Sequence, residues 1–230
     1  MSFLKAEWRK LVMVNYEVNP ELLKAYIPKG TELDFYKKKC YISVVGFMFL
    51  NTKLLGMKIP FHVNFEEVNL RFYVKRKGKR GVVFIKEIVP KPAITLVANT
   101  IYKENYQTLP MKHSWREKDN KFKVCYQWKI NQKWNAVSVE SQSKSEAIQP
   151  NTEIEFIAEH YWGYTKEKNK TSEYEVKHST WSYYPVINYK INIDFFDTYG
   201  CNFHFLEILK PRSVFLLEGS EITVESKIEF

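Results

Sequence analysis

Residues 62–85 read HVNFEEVNLRFYVKRKGKRGVVFI and contain the clearest strand pattern of the chain. From His62 to Val74 the side chains alternate between two faces, with Val68, Leu70, Phe72 and Val74 on one and Glu67, Asn69, Arg71 and Tyr73 on the other. Successive residues of a β-strand point to opposite faces, so the alternation predicts a strand. The basic run 75–81 is then a hairpin tip, and residues 82–85 return as a second, buried strand.

The remaining chain has the same β character. Sixteen Phe, fifteen Tyr and six Trp favour strands, because flat amphipathic rings pack well on a half-buried pleated surface. Further strands are expected at residues 11–16, 122–130 and 181–193, and a last strand pair is expected at 213–217 and 221–224 around Gly219-Ser220. Short helices are indicated by an Asn19 cap, by helical spacing over residues 94–102 and by a capping box at Thr152. We therefore predict one α+β domain over residues 1–230, mostly antiparallel β-sheet.

Composition excludes several classes of protein. No run of eighteen apolar residues occurs, so a transmembrane helix is not expected. The first nine residues include Glu7 and lack the apolar core of a signal peptide. The three cysteines Cys40, Cys125 and Cys201 lie far apart, which indicates free thiols and predicts a cytoplasmic location.

The net charge of +9 raises the question of a nucleic-acid partner. The densest basic run, residues 75–81, lies between two predicted strands, and no nucleic-acid-binding motif accompanies it. Charged hairpin tips of this kind are usually solvated. The sequence therefore disfavours nucleic acid as a partner.

Motifs for metal, cofactor or nucleophilic chemistry are absent from the sequence. The five histidines are His62, His113, His160, His178 and His204. None of them pairs with another at metal-ligand spacing, and no CxxC, dinucleotide-binding glycine motif, phosphate-binding loop or GxSxG elbow is present. We predict neither a metal site nor a cofactor, and motifs identify no catalytic residue.

The polar face of the strand at residues 67–73 has two interpretations. Antiparallel sheets routinely expose one polar face to water, and periodicity by itself favours this interpretation. Alternatively, the face lines the interior of a barrel, where Arg71 holds a carboxylate beside Glu67.

A set of short segments occurs in order along nearly the whole chain. They are Trp8, YEVNPELL at 16–23, IPKG at 27–30, FH at 61–62, EVNLR at 67–71, GV at 81–82, FI at 84–85, Phe156, HY at 160–161, Tyr164, HSTW at 178–181 and EGS at 218–220. Together they resemble the YqjF-like family of uncharacterised bacterial proteins, within the acetoacetate-decarboxylase-like superfamily. The resemblance implies a cone-shaped antiparallel β-barrel with a few flanking helices and an internal pocket.

The resemblance also implies what the pocket contains. In the decarboxylase a lysine, with its pKa lowered by apolar burial and an adjacent cation, forms a Schiff base with a β-keto acid. Carried over to this chain, Arg9 looks like the pocket arginine and Glu67 looks like one pocket glutamate. The position of the family's second glutamate corresponds to Val44 here, which cannot take that role. Where the family has paired lysines this chain has Glu104-Asn105-Tyr106, so Schiff-base decarboxylation is not expected.

Three functional hypotheses follow. The first is an internal barrel pocket that binds a small carboxylate-bearing molecule, with candidate contacts Arg9, Glu67, Asn69, Arg71, Tyr106 and His178. The second is a structural or interaction module whose basic surface contacts nucleic acid. The third is a divergent decarboxylase-like lyase with Lys103 as a displaced imine lysine. The sequence leaves open whether any reaction is catalysed and whether the chain forms a homo-oligomer.

Overall fold

The computed structural model describes residues 2–168 and 170–230, and Met1 and Asn169 lie outside the described residues. The strands are β1 (Ser2–Val18), β2 (Glu32–Leu33), β3 (Cys40–Leu54), β4 (Phe65–Arg76), β5 (Lys79–Val89), β6 (Tyr106–Thr108), β7 (Met111–Lys118), β8 (Lys121–Ile130), β9 (Lys133–Gln142), β10 (Glu146–Ala147), β11 (Trp162–Lys166), β12 (Thr171–His178), β13 (Ser182–Tyr184), β14 (Val186–Asn192), β15 (Ser213–Glu225) and β16 (Ile228–Glu229). The α-helices are α1 (Pro92–Val97), α2 (Glu153–Ala158) and α3 (Phe195–Tyr199). A π-helical turn (Ala98–Tyr102) continues α1, and 3₁₀ helices cover Pro20–Tyr26 and Cys201–Glu207.

The hairpin predicted at residues 62–85 is confirmed. Strands β4 and β5 pair antiparallel and are joined at Lys77 and Gly78, which have φ angles of 49° and 78°. A two-residue turn with positive φ at both positions has the twist that suits an antiparallel pair.

The predicted helix caps are confirmed as well. The Asn19 side chain accepts a hydrogen bond from the backbone N–H of Glu21, and Thr152 accepts one from the backbone N–H of Glu155. Each cap satisfies a donor that has no partner within its own helix.

Strand pairing runs around a ring. In order, β15, β1, β3, β4, β5, β11 and β12 are hydrogen-bonded neighbours, and β12 also pairs with β15. The expected antiparallel barrel needs one correction, because β5 and β11 are parallel. The chain reaches β11 after leaving the ring through β6–β10 and α2, and a long excursion of this kind permits parallel pairing.

The parallel contact between β5 and β11 is short and depends on two glycines. It pairs Gly81 with Trp162 and Val82 with Gly163. A Cβ atom on Gly81 would lie 2.5 Å from the Trp162 carbonyl oxygen, and one on Gly163 would lie 2.1 Å from Cζ of Tyr174. Only glycine allows this close an approach, so the two positions set how the ring closes.

A second sheet, in the order β14–β9–β8–β7, covers the outer face of the ring. Its fully buried Tyr126 and Trp128 pack in one core with the outward residues of β4, which are Val68, Leu70, Phe72 and Val74. Tyr73, on the opposite face of β4, belongs to the interior core. The interpretation of the polar face as water-exposed is therefore wrong. Periodicity shows that the two faces differ, but it does not show that separate layers cover both.

A β-bulge in β5 decides which of its residues face inward. Arg71 pairs with Phe84, whereas the preceding residue Leu70 pairs with Lys86, so Ile85 is the extra residue. Beyond the bulge Glu87 shares the inward face with Asn69, and Lys86 lies on the outer side, where it donates to the Thr198 carbonyl oxygen. Bulges re-aim the side chains that follow them.

The pair of strands predicted around Gly219-Ser220 is a single strand, β15. Gly219 has a φ of 81° and pairs with Arg9 of β1. Lys10, which follows Arg9 in the sequence, also has a positive φ, of 55°. The glycine therefore marks an irregularity within a continuous strand and not a turn. Within the described residues, none of the helices has the length and apolar character needed to cross a lipid bilayer.

We expect Gly163→Ala to destabilise the protein by about 1–3 kcal/mol, since its Cβ would overlap the Tyr174 ring. Gly78→Ala is the matched control. It lies in open space at a φ of 78°, so only about 1 kcal/mol of backbone strain is expected. Urea unfolding of both variants checks this, and equal losses would contradict the steric role of Gly163.

Candidate functional site

A cavity of about 180 Å³ lies inside the ring of strands. Polar or charged side chains that line it are Thr52, His62, Glu67, Asn69, Arg71, Glu87, Tyr102, Glu104, Tyr106, His160 and Tyr174. The rest of the lining is almost entirely aliphatic and aromatic. The arrangement is typical of a ligand site, in which a few polar groups interrupt an apolar wall.

Five of these polar residues come from neighbouring strands. Glu67, Asn69 and Arg71 follow each other along the inward face of β4. Glu87 pairs with Asn69 across the β4–β5 ladder, and Tyr106 pairs with Glu87 in the short parallel contact of β6. The register of three strands therefore brings two carboxyls, an amide, a phenol and a guanidinium to one wall.

Glu104 enters the cavity because of the local backbone. The helical segment from α1 ends at Tyr102, and Lys103 follows in a left-handed conformation with a φ of 58°. After this reversal Glu104 is buried and Lys103 is exposed. The sequence identified position 104 only as a place without lysine.

Two of the glutamates have defined hydrogen-bond partners. Glu67 accepts from Asn69 Nδ2 at 2.9 Å and from the Tyr106 hydroxyl at 3.2 Å. Glu104 accepts from the Thr165 hydroxyl at 2.6 Å and from the Tyr174 hydroxyl at 3.0 Å. Each carboxyl is thereby held in one orientation.

Burial dominates the acidity of these carboxyls. It raises the pKa of Glu67 to about 7, against the hydrogen bonds from Asn69 and Tyr106 that lower it. Burial likewise raises the pKa of Glu104 to about 7. The pKa of Glu87 is raised well above its usual range by burial and then by the charges of Glu104 and Glu67. Carboxyls with a pKa near neutrality can both give and take a proton at pH 7.

Several buried polar atoms on this wall have no partner among the described residues. They are Arg71 Nε, Glu87 Oε2, Asn69 Oδ1 and His160 Nδ1. Arg71 is only 7% exposed, and its guanidinium carbon lies 5.8 Å from the centre of the Tyr73 ring. Nε1 of Trp8 and Oγ1 of Thr52, elsewhere in the lining, are without a partner as well. Buried polar groups in folded proteins are nearly always hydrogen-bonded, so these atoms indicate a place for a polar guest.

His160 is fixed at the edge of the cavity by a charged pair. Its Nε2 lies 3.3 Å from Oδ2 of Asp34, which also accepts a hydrogen bond from Nε of Arg80 at 2.7 Å. Burial lowers the pKa of His160 to about 4, so the imidazole is neutral at physiological pH.

Two residues expected at the pocket lie outside its lining. Trp8 lines the cavity, so the next residue, Arg9, faces outward, where it pairs with Glu7 at 2.7 Å and Glu218 at 3.6 Å. His178 stacks between Tyr161 and Trp181, with ring centres 4.5 and 4.2 Å away. Of the six residues that the sequence suggested, Glu67, Asn69, Arg71 and Tyr106 converge, and Arg9 and His178 do not.

The cavity lining described by the structure contains no lysine. Lys103 is exposed, which removes the support for it as a displaced imine lysine. Val44, which matched the position of a second glutamate, is fully buried in the outer core. Sequence reasoning missed Glu87, Glu104 and His160 as site residues. Two signals were available, namely the acid at position 104 and the place of His160 in a segment shared with the family.

The basic hairpin tip is less exposed than its composition indicates. Arg76 and Lys79 both pair with the fully buried Glu173, at 3.2 and 2.8 Å. Arg80 pairs with Asp34. Much of this positive charge is therefore neutralised within the fold, which weakens the case for nucleic-acid contact here.

Comparison with known proteins identifies the family and the fold. The model of the DUF2071 family, described as an uncharacterized conserved protein, matches residues 5–221. The chain belongs to the DUF2071 family. It is 31% identical over 110 residues to the uncharacterized protein YqjF of Bacillus subtilis, and the match covers 47% of this chain and about half (46%) of that relative.

Solved structures show the same fold at low identity. Acetoacetate decarboxylase from Legionella pneumophila superimposes with a TM-score of 0.69 at 13% identity, over 99% of this chain and 86% of that one. The enduracididine biosynthesis enzyme MppR, solved in complex with pyruvate, gives 0.68 at 12% identity, over 100% and 91%. This member of the DUF2071 family therefore has the acetoacetate-decarboxylase-like fold.

We expect Glu104→Gln to stabilise the protein at pH 8 by roughly 1–3 kcal/mol and to change little at pH 5. A carboxyl with a pKa raised in the folded state keeps a proton that the unfolded chain releases, so its contribution to stability falls as the pH rises from about 4.5 to about 7. Glutamine keeps an oxygen for Thr165 and Tyr174 without the charge. Urea unfolding at both pH values measures the difference.

Glu66→Gln is the matched control. Burial by itself would raise the pKa of the Glu66 carboxyl. The hydrogen bond with His113 and smaller effects in the same direction together hold the pKa below its usual range. The same change at position 66 therefore destabilises the protein at pH 8. If Glu104→Gln destabilised it as well, the assignment of a raised pKa to Glu104 would be wrong.

Proposed function

We propose that this protein binds a small carboxylate-bearing molecule in the barrel cavity, with Arg71 as the principal contact. The observation that carries the proposal is the buried guanidinium of Arg71, whose Nε has no hydrogen-bond partner among the described residues although the side chain lines the cavity. A guanidinium presents planar donors that match a carboxylate. A cation removed from water without a partner is destabilising, and an anionic guest supplies that partner.

The neighbouring glutamates adjust the charge of the site to the guest. Glu67 lies four residues before Arg71 on the same inward face of β4, and its pKa is already about 7 without a ligand. A bound carboxylate nearby favours the protonated form of Glu67 further. Binding is therefore accompanied by proton uptake, and affinity decreases as the pH rises through about 7.

The name of one structural neighbour is consistent with this ligand class. MppR, which has the same fold, was solved with pyruvate, a small carboxylate. Schiff-base decarboxylation is not part of the proposal, because among the described residues of the cavity lining there is no amine to form the imine.

A second candidate function is proton transfer to and from carbon on a bound 2-oxo acid. The Tyr106 hydroxyl donates to Glu67 at 3.2 Å, and Glu67 titrates near neutral pH. In the complexes in which Glu67 is ionised, its carboxylate accepts a proton from the carbon next to the carbonyl group, while the electron pair moves into an enolate whose oxygens face Arg71. The reverse step returns the proton, so no co-reactant is consumed.

We expect Arg71→Met to weaken carboxylate binding roughly 10- to 100-fold, because it removes a charged hydrogen bond from a buried site. Isothermal titration calorimetry with pyruvate and with hexanoate at pH 6 and pH 8 measures this, and the wild-type protein should bind more tightly at pH 6. Arg9→Met is the matched control, since Arg9 pairs on the outer face. Equal losses in both variants, or no binding of either acid to the wild type, would overturn the proposal.

The proton-transfer function predicts that the wild-type protein accelerates exchange of the pyruvate methyl protons in D₂O, followed by proton NMR. Glu67→Gln should slow this exchange by about 100-fold or more. Glu66→Gln, with the same change on the outward-facing neighbour, should leave it unaltered. Exchange at the uncatalysed rate in the presence of wild-type protein would exclude this function.

A further inference from the structure

The apolar part of the cavity has its own organisation. Aromatic side chains on β1, β3 and β4 form one wall. The ring of Trp8 meets those of Phe47 and Phe49 edge-on, with ring centres 5.3 and 5.9 Å apart. Phe49 stacks on Phe65, with ring centres 4.7 Å apart. All four residues line the cavity. Such a wall gains free energy from covering hydrocarbon. Its one hydrogen-bonding side-chain atom is Nε1 of Trp8, which has no partner among the described residues.

The polar and apolar parts lie at different heights along β4. Phe65 begins the strand and pairs with Phe49, whereas Arg71 lies six residues further on and pairs with Ser43. At about 3.3 Å per residue, Arg71 is roughly 20 Å from Phe65 along the strand, but only roughly 13 Å from the level of Phe47, which pairs with Glu67. A guest held by the long side chain of Arg71 therefore meets Phe47 first and extends from there in the direction of Phe49 and Phe65.

Two further segments that line the cavity also carry exposed apolar side chains. Ile59 in the loop after β3 lines the cavity, as do Ile94, Val97 and Ala98 in the helical segment before Lys103. The same two segments carry large exposed apolar side chains, which are Leu55, Met57, Phe61, Leu96 and Ile101. An acid with a hydrocarbon tail gains free energy from covering such apolar surfaces, which a small hydrophilic acid leaves uncovered.

We propose that the ligand is an amphipathic carboxylic acid, with its carboxylate at Arg71 and an alkyl or aryl tail of about six to eight carbons along the wall of Trp8, Phe47, Phe49 and Phe65. The inference rests on the proposed carboxylate site and names its ligand class. An apolar cavity of roughly 150 Å³ holds one benzene molecule, so about 180 Å³ accommodates a tail slightly larger than that.

The test is a chain-length series on the wild-type protein. Straight-chain acids from acetate to decanoate are titrated at pH 6 by calorimetry, below their micelle-forming concentrations. Each methylene group that enters the wall should strengthen binding about fourfold. We expect this increase from butanoate to about octanoate, followed by a plateau where the tail leaves the cavity.

A pair of variants tests the route of the tail. Val97 lines the cavity from the helical segment before Lys103, and Val97→Trp fills part of the space there. Octanoate should therefore bind at least tenfold more weakly, while acetate is unaffected. Leu96→Trp is the matched control on the adjacent exposed residue and should change neither acid. If Val97→Trp left octanoate binding intact, the tail would not follow this route and the inference would fail.

The outcomes separate this inference from the proposed function. Equal affinity for acetate and octanoate, with both lost in Arg71→Met, would overturn the apolar tail and leave the carboxylate site standing. Octanol binding as tightly as octanoate, with no effect of Arg71→Met, would overturn the carboxylate site. A steep chain-length series that requires Arg71 supports both.

Discussion

The structure depends on closing the ring of strands at the parallel contact between β5 and β11. Gly81 and Gly163 lie at that contact, and a side chain at either position would meet a backbone carbonyl or an aromatic ring. Because the ring closes, the inward face of β4 is removed from water. The same residues on an open sheet would be solvated and would keep ordinary pKa values. Ring closure thus turns a common strand pattern into a chemically unusual site.

The site combines one guanidinium with three buried carboxyls. Burial destabilises the charged form of each carboxyl, and protonation relieves this for Glu67, Glu87 and Glu104. Arginine does not have that option at any physiological pH. The wall is therefore a fixed cation surrounded by acids that can change charge. An anionic guest and a proton can enter together without leaving an unbalanced charge in the interior.

The fold is shared with acetoacetate decarboxylase, and the cavity lining that the structure describes in this chain contains acids and no lysine. A left-handed residue after the first helical segment places Glu104 inside and Lys103 outside, and a bulge in β5 does the same with Glu87 and Lys86. In both places a neighbouring lysine is excluded and an acid takes the inward position. Similarity of backbone therefore says little about the reaction, which depends on the side chains that line the cavity.

The sequence by itself determined the hairpin of β4 and β5, the helix caps and the polar row of Glu67, Asn69 and Arg71, because these follow from strand alternation and local hydrogen bonding. It did not determine that both faces of β4 are covered, since that depends on a sheet formed much later in the chain. It also assigned Arg9 and His178 to the pocket. Tertiary structure decided the bulge in β5 and the outward turn of Arg9, because one irregular residue in a ladder reverses the direction of every side chain after it.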